Sequence, residues 1–285
     1  MAESKSVSAL RDTWDAAAPG WAKWEQAFFD RAFADATETM MDMAGVDPGM
    51  RVLDLACGAG SQSIQAARRV GPEGSVVACD ISATMLEHVR RNAADAGVQN
   101  LETHESAAED LRLPAESFDA SICRMGLMLF PSPAEALRAV REALRPGARF
   151  AALVFTTPAG NPALAQPMAI LLRHAGKAPP GPGQPGLFAL GAEGVLARML
   201  ADSGFEDVRV EAVRVPFTLP SAGDFLALLQ EAAGAYRAVV ADLGDAERAR
   251  AWEDVQACVE EFEAGADGGF ASEFEVLIGS CARPN

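Results

Sequence analysis

The chain has 285 residues, 49% of them apolar, and carries 40 acidic against 24 basic side chains for a net charge of −16. That length and apolar content suffice for one elaborated domain with a substantial core. The acidic balance, with no long run of Lys or Arg, argues against nucleic acid, whose phosphates call for a basic footprint. No run of about 18 apolar residues could cross a membrane, and "MAESKSVSALRDTWD" lacks the apolar core of a signal peptide, so the expected setting is cytoplasmic. The five cysteines (Cys57, Cys79, Cys123, Cys258, Cys281) are scattered without a C-x-x-C pair, which predicts buried thiols rather than disulfides or a metal site.

In chain order, residues 1–48 are expected to form a helical cap, with Trp14, Trp21 and Trp24 at near-helical spacing. Residues 49–156 alternate apolar strand-like runs (51–56, 75–80, 101–105, 118–125, 148–156) with helical patterns in "SQSIQAARRV", "SATMLEHVRRNAADAG" and "PAEALRAVREALRPG". This βα rhythm predicts a parallel sheet covered on both faces, with ligands at the carboxyl ends of its strands. Residues 157–191 pair a short apolar helix, "ALAQPMAILLRHAG", with the Pro/Gly-rich "GKAPPGPGQPG", a pattern that reads as a lid loop. Residues 192–220 and 270–285 complete the sheet, and residues 221–269 are a helical insertion placed to cap the ligand edge.

The first turn, "VLDLACGAG" followed by "SQSIQ", is a G-x-G without a third glycine, Ser63 standing in its place. Alone this is weak, but a strand precedes it, a helix follows it, and Asp80 ends the next strand, where an acid can accept hydrogen bonds from both hydroxyls of a ribose. A dinucleotide would set its pyrophosphate at the helix N-terminus, and an acid at Asp54 opposes that charge. S-adenosylmethionine carries an ammonium and a sulfonium and no phosphate, so Asp54 favours it. The plain alternatives are that Asp54 caps the glycine turn and that Asp80 caps the helix after it, a role open to Ser82 as well.

Together, "VLDLACGAG", "VVACDIS", "HESAAEDLRLPAESFD" and "ALRPGARF" resemble the motifs of class I S-adenosylmethionine-dependent methyltransferases, in the ubiquinone/menaquinone-biosynthesis-like branch that methylates small molecules. "TWDAAAPGWAKW" resembles that branch's N-terminal cap helix. The resemblance implies a Rossmann-like, doubly wound α/β fold with a seven-stranded, mostly parallel sheet and helical cap insertions, acting as a monomer or homodimer on a small-molecule metabolite. It implies Asp54, Ala56, Gly58 and Gly60 around the methionine end, Gln62 among the other cofactor-binding residues, Asp80 on the ribose, and Ile81, Met85, Ser106 and Ala107 near the adenine. Ser106 stands where the family usually has an acid. Arg124 would approach the methionine moiety and Met125 the transferring methyl.

Methyl transfer to an amine or acidic carbon needs little proton transfer, whereas an alcohol or phenol calls for a base. His88 reads as surface and His104 as structural. His174, between the apolar helix and the Pro/Gly loop, is the candidate base, and with Trp14, Trp21 and Met125 it forms the candidate substrate set. No hydrolase elbow, zinc-protease or phosphate-loop motif is present. A cyclisation or rearrangement that uses the same cofactor is the alternative reaction.

Overall fold

In the computed structural model, residues 2–25, 29–181, 183–264 and 269–285 are described. Part of the predicted lid (Pro182) and of the predicted insertion (residues 265–268) therefore lies outside them. Helices α1 (Ala2–Trp24), α2 (Asp30–Ala32) and α3 (Ala34–Met43) precede the core. The core runs β1 (Arg51–Leu55), α4 (Ser61–Val70), β2 (Ser75–Asp80), α5 (Ala83–Asp95), β3 (Leu101–Glu105), β4 (Phe118–Arg124), α6 (Pro133–Ala143), β5 (Leu144–Phe155). After it come α7 (Pro162–His174), α8 (Val195–Asp202), β6 (Glu206–Leu219), α9 (Ala222–Glu231), α10 (Gly234–Val239), α11 (Asp245–Glu260), β7 (Glu263–Ala264) and β8 (Gly269–Ala282).

Seven strands lie in the order β3-β2-β1-β4-β5-β8-β6, and the two-residue β7 pairs with β8 off this path. β1 to β5 pair in parallel; β8 enters antiparallel between β5 and β6. Beyond their first residue β1 and β2 are buried throughout, as continuous apolar runs sandwiched between helices should be. The strand order reverses between β1 and β4, so the crevice at their carboxyl ends is where a doubly wound sheet takes its ligand.

One boundary differs from expectation. The Pro146–Gly147 pair reads as a helix stop, yet β5 begins at Leu144, paired with Phe118, and the register shifts before Arg149 meets Ala120. A bulge absorbs the proline that a regular ladder would exclude.

The cap is built by helix docking. Asp15 Oδ1 accepts from the Ser82 hydroxyl at 2.5 Å and the Thr84 N–H at 3.3 Å, while Ser82 caps α5 through the Met85 N–H at 3.0 Å. At its other end α1 lies on α9. A Cβ on Gly20 would stand 2.3 Å from the Glu231 carbonyl oxygen, an approach only glycine permits. Lys23 Nζ and the Trp24 indole N–H both donate to Glu231 Oε2, at 2.8 and 2.7 Å. On the far side Tyr236 on α10 donates its hydroxyl to the Leu164 carbonyl on α7 at 2.8 Å. No helix among the described residues is long and apolar enough to cross a membrane.

Candidate functional site

One cavity of about 1280 Å³, mouth included, begins at the carboxyl ends of β1, β2 and β4 and runs beneath α1, α9 and α10. At the sheet end Leu55, Ala56 and Gly58 line it from β1 and its turn, Asp80 and Ile81 from β2, and Met85 from α5. Ser106, Ala108, Arg124 and Met125 complete that end.

Asp80 is 8% exposed. Its Oδ2 accepts from the Gly58 N–H at 3.0 Å and its Oδ1 from the Ser82 N–H at 2.9 Å. Each carboxylate oxygen has lone pairs to spare after one such bond, so both remain able to take a ribose hydroxyl. Burial lifts the Asp80 pKa to about 6, against the pull of these N–H groups.

Gly58 has φ +58°, and a Cβ on it would stand 2.7 Å from Trp21 Nε1, so the bare backbone lets α1 close over the turn. Two non-glycine residues at the strand ends, Ala56 (φ 54°) and Met125 (φ 62°), occupy the left-handed region beside the same cavity. Such strain persists where the surroundings fix it, and it is common at ligand sites.

Asp54 does not line the cavity. It is fully buried, and its carboxylate accepts from the Ser63 hydroxyl and, at 3.3 Å, from Gln62 Nε2 at the start of α4. Both partners are side chains of the first turn of α4, and burial raises the Asp54 pKa to about 7. Gly60 (φ +95°) is the N-terminal cap position of α4 and Gln62 is occupied with Asp54; neither they nor Ala107 line the cavity, although Ala108 does.

Arg124 is 6% exposed and threads into a buried polar cluster beside the glycine turn. Its guanidinium donates to Glu25 Oε1 at 3.1 Å, Ser61 Oγ at 2.5 Å and Thr37 Oγ1 at 3.1 Å. Burial raises the Glu25 pKa to about 7 in spite of the guanidinium.

These three carboxyls give a pH dependence whose sign is fixed. Each has a folded-state pKa above its ordinary value (4.5 for Glu25, 3.8 for Asp54 and Asp80), so their protonated forms stabilise the fold. That contribution is complete below about pH 4 and is lost as the pH rises through 6 to 7. Urea unfolding of the ligand-free protein is expected to give lower stability at about pH 7.5 than at about pH 5; stability that rises over this interval would contradict the assignment.

The far end is an aromatic wall. Trp21 stacks on Phe29 with centroids 5.2 Å apart, Phe29 meets Phe217 at 5.7 Å, and Phe217 meets Phe274 at 4.9 Å. Phe155, Phe225, Leu164, Leu228 and Tyr236 enclose the rest. Trp14, Trp21 and Met125 line the cavity as the sequence suggested, but His174 is not among its lining residues. His174 ends α7, and its Nε2 pairs with Asp254 on α11 at 2.7 Å, because packing of α7 against α11 turns it away from the cavity. The wall itself went unread: Phe29, Phe155, Phe217, Phe225 and Phe274 are far apart in sequence, and the only signal was their apolar character on predicted core faces.

The residues fit S-adenosylmethionine. Asp80 offers acceptors for a ribose, Ile81 and Met85 an apolar face for the adenine, and Gly58 a bare stretch of backbone at the cavity wall for the amino-acid end. The Trp21 indole N–H above that turn is a buried donor with no partner.

The comparisons agree. A protein-family model described as a methyltransferase domain matches residues 46–166. The ubiquinone/menaquinone biosynthesis C-methyltransferase UbiE of Ectopseudomonas mendocina (strain ymp) is 39% identical over 127 residues, 44% of this chain and 49% of that protein. The UbiE of Pseudomonas aeruginosa (strain LESB58) is 38% identical over 122 residues, 42% of this chain and 48% of that protein. The chain thus spans about half the length of the curated relatives it matches. Among solved structures, a putative methyltransferase (BH2331) from Bacillus halodurans C-125 superposes with a TM-score of 0.59 at 16% identity, over 88% of this chain and 100% of that one. The [4+2]-cyclase SpnF superposes with a TM-score of 0.61 at 16% identity, over 97% and 96%. These two likenesses concern the fold alone.

Proposed function

We propose that this chain, whose residues 46–166 belong to the class I S-adenosylmethionine-dependent methyltransferases, moves a methyl group to an O, N or C atom of a small, largely apolar metabolite held under its cap. The observation that carries the reading is the continuity of one cavity, with Asp80 and Gly58 at one end and the aromatic wall at the other. The family's cofactor supplies a sulfonium methyl when bound. The chain's own residues do the rest. Asp80 and the glycine turn fix one partner, Phe29, Phe217 and Phe274 orient the other, and the docked α1, α9 and α10 exclude water, which together favour an in-line displacement.

Few lining side chains are free to act as a base. Tyr236 donates to Leu164, burial raises its pKa, and the Glu109 carboxylate accepts from the Ser132 N–H at 3.1 Å. Such a site suits an acceptor that is already nucleophilic, and the C-methyltransferase names of the curated relatives make an electron-rich ring carbon the first candidate. The net charge of −16 supports a small-molecule partner over nucleic acid, with the chain working as a monomer or homodimer.

The test is incubation with methyl-labelled S-adenosylmethionine and a panel of apolar phenols, quinols and enols, read by mass spectrometry. One label gained by an acceptor with equal S-adenosylhomocysteine formed is expected. A product isomeric with its substrate and no S-adenosylhomocysteine would replace methyl transfer with a cyclisation or rearrangement.

A further inference from the structure

The aromatic end of the cavity has little to offer an anion. Phe29, Phe155, Phe217, Phe225 and Phe274 line it, and none of these side chains carries a hydrogen-bonding atom. The Tyr236 hydroxyl, also in the lining, donates to the Leu164 carbonyl at 2.8 Å, and the Trp21 indole N–H lies over Gly58 at the sheet end. Arg124 is the one basic side chain among the described lining residues. Its guanidinium is directed into Glu25, Ser61 and Thr37, with Asp30 3.9 Å away. Against it stand two lining acids, Asp80 and Glu109. A phenolate or carboxylate entering the aromatic end would give up its hydration and gain no donor in return.

A cation meets the reverse. The ring planes turn by 25° from Trp21 to Phe29, by 48° from Phe29 to Phe217 and by 31° from Phe217 to Phe274, and Phe155 meets Phe274 at 81°. Rings set at such varied angles around one space give it faces as well as edges. The face of an aromatic ring is its negative side, and it attracts a cation within about 6 Å of the ring centre, more strongly where water is excluded.

On the reading that the cavity takes S-adenosylmethionine at its sheet end, we propose that the aromatic wall selects an acceptor that enters neutral and becomes positively charged in the displacement. That acceptor is an amine nitrogen or a π carbon of an arene or alkene, in preference to a phenolate or carboxylate oxygen. The acceptor's electron pair bonds the methyl carbon as the C–S pair returns to sulfur, so the positive charge passes from the sulfonium to the acceptor, among the rings. A fully substituted amine keeps that charge, whereas an N–H amine or a ring carbon sheds it as a proton to water at the cavity mouth.

The experiment is calorimetric titration of phenyltrimethylammonium, and of its neutral isostere tert-butylbenzene, into the chain saturated with S-adenosylhomocysteine, whose thioether adds no charge of its own. Wild type is expected to bind the cation about tenfold to thirtyfold more tightly than the isostere. Phe217→Leu and Phe29→Leu are expected to lose most of that preference while binding the neutral probe within about threefold of wild type. Equal binding of the two probes by wild type, tighter binding of tert-butylbenzene, or binding of neither would overturn the proposal, whether or not the variants fold. A chain that does not bind S-adenosylhomocysteine in the first place fails the cofactor reading instead, so the two failures are told apart. With methyl-labelled S-adenosylmethionine, N,N-dimethylaniline and phenol then separate the two acceptors. Label on the aniline nitrogen points to amines, label on a ring carbon to arenes, and label on the phenol oxygen would contradict both.

Discussion

Asp80→Ala is expected to weaken S-adenosylhomocysteine binding by two orders of magnitude or more while leaving the fold intact. Two ribose hydroxyls bonded to a carboxylate are worth about 1.5–3 kcal/mol each, and the turn would lose an anchor besides, since the Gly58 N–H donates to Asp80. The fold is spared because the native carboxylate is itself costly to bury, as its raised pKa records. Calorimetry with the wild type and Asp80→Ala, beside thermal unfolding of both without ligand, separates the two effects. Affinity within threefold of wild type would remove Asp80 from the site.

The second large effect concerns stability. Arg124→Met leaves Glu25 without its cation, and one-sided removal of a buried pair costs about 3–5 kcal/mol. Without the guanidinium the Glu25 pKa climbs further, so the deficit is expected to be larger near pH 7.5 than near pH 5, where Glu25 takes up a proton. Adding Glu25→Gln to Arg124→Met should recover much of the loss, because the uncompensated charge is then gone. Urea unfolding of wild type, single and double variants measures all three. A single-variant loss below about 1 kcal/mol, or a double variant no better than the single, would show that the pair carries no such energy.

The sheet was legible because its main signal is local. Buried parallel strands read as unbroken apolar runs, and β2 begins and ends where the sequence put it; so does the edge strand β3, although four of its five residues are polar and none is fully buried. Asp80 was legible for the same reason, being the last residue of a strand whose neighbour ends in a glycine turn. Asp54 was half legible. Its place in the turn was plain, but whether its carboxylate meets a ligand or Ser63 depends on where α4 begins, which spacing alone does not fix. His174 was misplaced because its partner, Asp254, lies 80 residues on and becomes a neighbour only through the packing of α7 on α11. Glu25 gave no signal at all, since a glutamate at a helix end reads as solvated until Arg124 arrives from β4. The cap, assembled from α1, α7, α9, α10 and α11, is tertiary in this sense throughout, which is why the residues at the sheet end of the cavity could be placed from the sequence and those at the aromatic end could not.

The measurement that bears most directly on the central claim is a crystal structure of the chain with S-adenosylhomocysteine. The account predicts the ribose hydroxyls on Asp80, the amino-acid end along the cavity beside the Gly58 turn, and the sulfur facing the space bounded by Met125, Phe29 and Phe217. An adenosine bound away from Asp80, or a sulfur turned from the aromatic wall, would contradict it.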